Sequence, residues 1–164
     1  MKLTVKRLKS VLRYSPKTGA WFWIAKTSPN VNRKWGDPAG HHNGHGYLQI
    51  TVDKKYYLSH RLAWFYMTGY WPKAQIDHRD CDRANNAWYN LREATRSQNL
   101  GNSKKRRDGR VKMKGVRFHR NRYVAKIRVC GKGIYLGSFD TPEQAHAAYV
   151  KAAKKHFGEF ARAA

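Results

Sequence analysis

The chain has 164 residues, with 34 Lys and Arg against 10 Asp and Glu, a net charge of +24. Hydrophobic residues make up 41% of it, with 6 Trp, 10 Tyr and 6 Phe, enough for one ordinary domain or two small ones and too apolar for wholesale disorder. No apolar run reaches the roughly 18 residues of a membrane span, and so positive a field attracts a polyanion, nucleic acid before an anionic membrane.

In chain order, "MKLTVKRLKSVLRY" spaces Leu3, Leu8, Val11 and Leu12 among basic residues. This is the pattern of an amphipathic helix, not the continuous apolar stretch of a signal peptide. "YSPKTGAWFWI" reads as a turn followed by a strand, with Trp21, Phe22 and Trp23 as core rather than as base-stacking aromatics. The Gly-rich loop 36–46 carries His41, His42 and His45, but its glycines fix no geometry for zinc. "YLQITVDKKYYLSH" alternates apolar and polar residues on both sides of Asp53-Lys54, as a β-hairpin does. A helix over 60–69 ends at Gly69. His60 and Arg61 open it, and either phosphate contact or core packing fits them.

A short strand at 75–77 then leads through about a dozen polar loop residues to a second strand near Leu91 and Arg92, and to a brief helix from Ser97. Residues 103–113 are dense in Lys and Arg and read as a charged linker; Lys104, Lys105, Arg106 and Arg107 are placed to track a nucleic-acid backbone. Beyond it the pattern gives three strands, about 115–118, 123–130 and 133–138. A helix follows, with Thr141 as its cap, Pro142 first, Gln144 completing a capping box and Gly158 at its end. Tyr123, Ala125, Ile127 and Val129 form an apolar face for a helical stripe of Ala145, Ala148, Tyr149 and Ala152. The opposite face offers Arg117, Lys126, Arg128 and Tyr135, and charge alone leaves base readout and pure phosphate contact equally open. Cys81 and Cys130 lie too far apart for a zinc quartet and read as reduced thiols. His119, His146 and His156 have no partners implied by spacing, and no phosphate-cradling G-x-x-x-x-G-K-[ST] loop occurs.

One stretch stands against the basic background. Asp77, Asp80 and Asp82 fall within six residues and surround His78. Cutting a phosphodiester needs a base of near-neutral pKa, which histidine supplies, and a hard divalent cation held by a carboxylate. Asp77 and His78, adjacent on a strand, project to opposite sides, one toward a metal and one toward a water. A metal also reverses the local sign that a bare carboxylate presents to DNA. Asp80, Asp82 and Glu93 read as loop or salt-bridge residues. Asn90 follows His78 by 12 residues and Asn99 follows it by 21.

"HRLAW", "IDH", "NN" and "NLREATRSQN", with "YSPKTGAWFW" and "GYLQITVDKKYYLSHRLAW" before them, resemble the HNH endonucleases of ββα-metal fold, in the subfamily whose final letter is Asn. That resemblance implies His78 as general base, Asp77 and Asn99 as ligands of a divalent metal (Mg²⁺, with Mn²⁺ able to substitute), and Asn90 as the brace of the loop, fixing the imidazole's orientation. "GVRF", "YVAKIRV" and "YLGSFDTPEQAHAAYVKAA" resemble the APETALA/ethylene-response-factor DNA-binding domain. The implied DNA contacts are Arg117, Arg120 or Arg122, Lys126, Arg128 and Tyr135.

The expectation is an α+β chain with an HNH nuclease domain over 1–102 (core about 47–102), a basic linker over 103–113 and a three-stranded antiparallel sheet packed on one helix over 114–164. Such a protein would be a phage-type homing or nicking endonuclease working on double-stranded DNA, as a monomer or a DNA-induced dimer. It would act in the cytoplasm, the host's if phage-encoded, with neither a membrane nor a small-molecule substrate as partner. A catalytically inactive DNA-binding regulator and an RNA-directed protein are the rivals.

Overall fold

Thr4 starts the first helix by accepting the Arg7 N–H on its hydroxyl at 3.1 Å, which satisfies one of the donors a helix start leaves unpaired. The computed structural model describes residues 2–25, 34–104 and 111–162. They fall into two compact units, Met1–Glu93 and Ala94–Ala164. Among the described residues no helix is long and apolar enough to cross a membrane. The candidate backbone contacts Lys105, Arg106 and Arg107 lie outside the described residues.

In the first unit, α1 (Val5–Val11) buries Leu8 and Val11, and runs into β1 (Leu12–Tyr14), which pairs antiparallel with β2 (Trp21–Trp23). Trp21 and Trp23 are core, while Phe22 between them is half-buried with the Arg13 guanidinium over its ring. β3 (His41–His42), β4 (Leu48–Val52) and β5 (Lys55–Leu58) make a three-stranded sheet in that order. Asp53 and Lys54 close the β4–β5 hairpin with φ of 48° and 64°, the paired left-handed geometry whose twist suits two-residue hairpins. α2 (Ser59–Thr68) follows directly and ends where Gly69, at φ 87°, donates its N–H to the Phe65 carbonyl. Leu8, Val11, Leu12, Trp21, Ile50, Val52 and Leu62 are fully buried together. At full burial of such side chains, about 1.5–3 kcal/mol apiece holds this unit together. Against this core lie β6 (Gln75–His78) and β7 (Leu91–Ala94), which pair as a two-stranded sheet.

The second unit begins with the last residue of β7. α3 (Arg96–Asn102) has a full capping box between Thr95 and Gln98. β8 (Val116–His119), β9 (Arg122–Val129) and β10 (Lys132–Phe139) form an antiparallel sheet with β9 central. α4 (Pro142–Phe157) covers one face, capped by the Thr141 hydroxyl at the Gln144 N–H. Its buried stripe is Ala145, Tyr149, Ala153 and Phe157 rather than the stripe read from the sequence; Ala148 and Ala152 are only half-buried. A repeat of four on a helix of 3.6 residues per turn drifts around the axis, so this stripe runs obliquely across the sheet. Gly115, at φ 77°, has the Tyr149 ring where a side chain would stand.

α3 was expected to close a domain ending at residue 102, yet its packing belongs to the second unit. Lys114, itself buried, donates from Nζ to the carbonyls of Gly101 at 2.5 Å and Ser103 at 2.6 Å. These are carbonyls at the helix end, where no intrahelical partner remains; the Gly101 carbonyl also accepts the Arg162 N–H at 3.3 Å. The Cys130 N–H donates to Ser97 Oγ at 2.9 Å. Phe157 packs so closely on Gly101 that an added Cβ would stand 2.7 Å from its ring.

Candidate active site

β6 buries Ile76, Asp77 and His78 in succession, and alternation along a strand sends the last two side chains to opposite faces. Asp77 Oδ2 accepts from Arg92 Nε at 2.9 Å; both residues are under a tenth exposed. Arg92 was missed in the sequence, where a basic residue in so basic a chain carries no signal. Removing either member of such a pair strands a buried charge.

His78 meets Asn86, His60 and Tyr47. Its Nε2 lies 3.3 Å from Asn86 Oδ1. The His60 ring is edge-on at 5.1 Å between centroids, and the Tyr47 ring is at 6.2 Å. The Asn86 amide orients the pair. Its Nδ2 faces the Ala84 carbonyl at 2.9 Å, which only accepts, so the Asn86 oxygen faces the imidazole. An oxygen acceptor there calls for the His78 proton on Nε2. Burial is the largest influence on His78 and lowers its pKa, while the Asn86 hydrogen bond and Asp80, Asp77 and Asp82 push it back up. The net direction is downward, so the ring is neutral at pH 7 as a base must be.

The structure decides between the two readings of His60. It is 6% exposed and belongs to the core, with its pKa driven down to about 3 by burial first and then by His78 and Arg61. Its Nδ1 has no hydrogen-bond partner. The Arg61 guanidinium reaches back to the Ala74 and Pro72 carbonyls at 3.5 and 3.4 Å.

Asn90 sits at the base of the loop between β6 and β7. Its Oδ1 accepts the Asp80 N–H at 3.1 Å, and its Nδ2 donates to Asp80 Oδ1 at 2.9 Å and to the Asn85 carbonyl at 2.8 Å. Asp80 accepts the Asp82 N–H at 2.8 Å, and Asp82 accepts the Ala84 N–H at 2.9 Å. These side chains serve as turn formers. Glu93 accepts the Lys73 N–H at 3.1 Å. Asn90 braces the loop through backbone groups, while the amide beside the imidazole Nε2 is that of Asn86, whose trace in the sequence is the Asn-Asn pair.

Asn99 lies in α3, half-buried, in the second unit. The Asp77 carboxylate and the Asn99 amide oxygen are hard oxygen donors, the kind that suits Mg²⁺ or Mn²⁺ in sites completed by water and phosphate. Among the described residues no group of three or more His, Cys, Asp or Glu is arranged to hold a metal ion. His41, His42 and His45 are exposed.

On the face of the C-terminal sheet away from α4, Arg117, Arg120, Arg122, Lys126 and Tyr135 line a concavity of about 390 Å³. Lys126 pairs with Tyr135 across β9 and β10, and Arg128 pairs with Gly133. Lys126, Arg128 and Tyr135 are exposed, while Ala125 and Ile127 on either side of Lys126 are buried. Lys104 is exposed.

A family model described as HNH endonuclease matches residues 57–100. Residues 57–100 are an HNH endonuclease domain. The matched segment runs from β5 to α3 and contains His60, His78 and Asn86 but not Tyr47. One solved structure, described as "DNA binding and cleavage by the HNH homing endonuclease I-HmuI", is similar at a TM-score of 0.46 and 25% identity. The similarity covers 62% of this chain and 57% of that one. No curated protein matches the sequence.

Proposed function

We propose that this HNH protein is a metal-dependent DNA endonuclease of homing or nicking type, and that residues 114–164, an APETALA/ethylene-response-factor-type module, select its site. The observation that carries the reading is the buried imidazole of His78, with its Nε2 3.3 Å from the Asn86 amide oxygen. His78 takes the proton of the attacking water. Asn90 keeps the loop closed, so the base does not wander from its strand. Asp77 and Asn99 supply oxygen ligands to a divalent metal, Mg²⁺ first, with Mn²⁺ able to substitute. A bound metal would stabilise charge on the phosphate and on the leaving 3′ oxygen.

Arg117, Arg120, Arg122, Lys126, Arg128 and Tyr135 face duplex DNA, and Lys104, Lys105, Arg106 and Arg107 follow its backbone. Each chain then makes one nick per binding event, or two chains meeting at a site cut both strands.

The rival reading, a DNA-binding regulator with a silent nuclease fold, draws on one observation: Arg92 already neutralises Asp77. Supercoiled plasmid separates the two. The nuclease converts it to open circle with Mg²⁺ or Mn²⁺ and leaves it untouched in EDTA; plasmid that stays supercoiled at saturating protein with either metal favours the regulator.

A further inference from the structure

The amino-terminal hairpin lies outside the matched segment, yet its backbone and side chains converge on Asn86. Tyr14 Oη donates to the Asn86 carbonyl at 2.6 Å, fully buried. The turn between β1 and β2 passes so close that a Cβ on Gly19 would stand 2.3 Å from the Asn86 carbonyl carbon and 2.4 Å from the Ala87 nitrogen. Only glycine permits that approach, and at φ 75° only glycine adopts the conformation freely. One turn of chain further on, the Trp88 N–H donates to the Pro16 carbonyl at 2.8 Å. Tyr14 is in turn fixed by the rings of Trp21 at 4.8 Å and Tyr66 at 5.9 Å.

We propose that Tyr14 and Gly19 are positioning residues for catalysis: the β1–β2 hairpin holds the Asn86 backbone, and Asn86 thereby sets the tautomer and direction of the His78 imidazole. This rests on His78 being the general base. It assigns residues 12–23 a part in the chemistry, though none of them reaches the substrate. The physical reason is the loop itself. Asn86 belongs to a long connection that Asp80 and Asp82 pin at its start and Asn90 pins at Asp80 and at the Asn85 carbonyl. At Asn86 the loop has no strand or helix of its own to fix it. A side-chain amide orients a ring only if its own backbone is fixed, and the hairpin supplies two hydrogen bonds and a backbone contact there.

The experiment uses the full chain with ¹⁵N-labelled histidine. Long-range ¹H–¹⁵N spectra report which ring nitrogen of His78 carries the proton, and plasmid nicking in Mg²⁺ gives kcat and KM. Wild type should show His78 protonated on Nε2. Tyr14→Phe, which deletes one hydroxyl, should give a mixture of tautomers and roughly tenfold or lower kcat, with KM for DNA unchanged. Gly19→Ala should do the same more severely, and Asn86→Leu should lose the Nε2–H form altogether. Asn86→Asp, which keeps an acceptor oxygen, should retain it. Val11→Ala, a core truncation in the same unit, controls for general loosening and should move neither the tautomer nor kcat. His78 protonated on Nδ1 in wild type, or a Tyr14→Phe spectrum and kcat like those of Val11→Ala, would overturn the proposal. A wild type with the Nε2–H tautomer that nicks nothing would instead remove the nuclease reading, leaving the hairpin a structural prop without catalytic consequence.

Discussion

The side chains around β6 divide into those that hold charge and those that hold shape. Asp77 and Arg92 share a buried ion pair, so Arg92→Ala should destabilise the first unit by about 3–5 kcal/mol, read by urea denaturation, whereas Asp80→Ala in the exposed loop should cost far less. His60 gives a pH signature. Its folded pKa, about 3, lies below the ordinary value of 6.5, so below pH 6.5 the unfolded chain takes up a proton that the folded one refuses. Stability is therefore fully present above pH 6.5 and falls with pH toward 3, at up to about 1.4 kcal/mol per unit. Denaturation curves at pH 7 and pH 5 should differ by about 2 kcal/mol from this residue, and His60→Phe should abolish that part of the difference. At this scale the sequence was half legible. Asp77, His78 and Asn90 were singled out because they stand at fixed intervals on recognisable elements. Asn86, Arg92 and Tyr14 were not, since their roles come from contacts between segments far apart in the chain.

Among the elements, helices and strands followed their punctuation closely. Gly69, Thr141 and Gly158 mark helix ends in the sequence because caps are local chemistry. The allegiance of α3 was not legible, because a seven-residue helix takes its place from what packs on it. Lys114 is the test. Lys114→Met keeps the length of the side chain but removes its donors from the Gly101 and Ser103 carbonyls. Hydrogen exchange at the α3 amides should rise at least roughly tenfold, reflecting the loss of about 1.5–3 kcal/mol typical of hydrogen bonds to a charged group. Amides of β9 should keep their protection. Unchanged exchange in α3 would show that Phe157 and Ser97 suffice to hold it.

For the whole molecule, the net charge of +24 is the dominant long-range fact. It predicts DNA affinity that falls linearly in log–log form with salt. Replacing Arg117, Lys126 and Arg128 together by Ala should reduce that slope by about 2.7, at about 0.9 per phosphate contact, measured by fluorescence anisotropy on a short duplex. An unchanged slope would mean that the sheet face does not meet the backbone. Composition leads to the expectation of a polyanion partner, and the matched segment 57–100 adds an HNH endonuclease domain. The central claim remains that His78 deprotonates the attacking water, and it is tested most directly by the Mg²⁺-dependent nicking rate of supercoiled plasmid for wild type and His78→Ala. A fall of at least about 100-fold, with DNA affinity unchanged, is the predicted result; equal nicking rates for the two proteins would contradict the account.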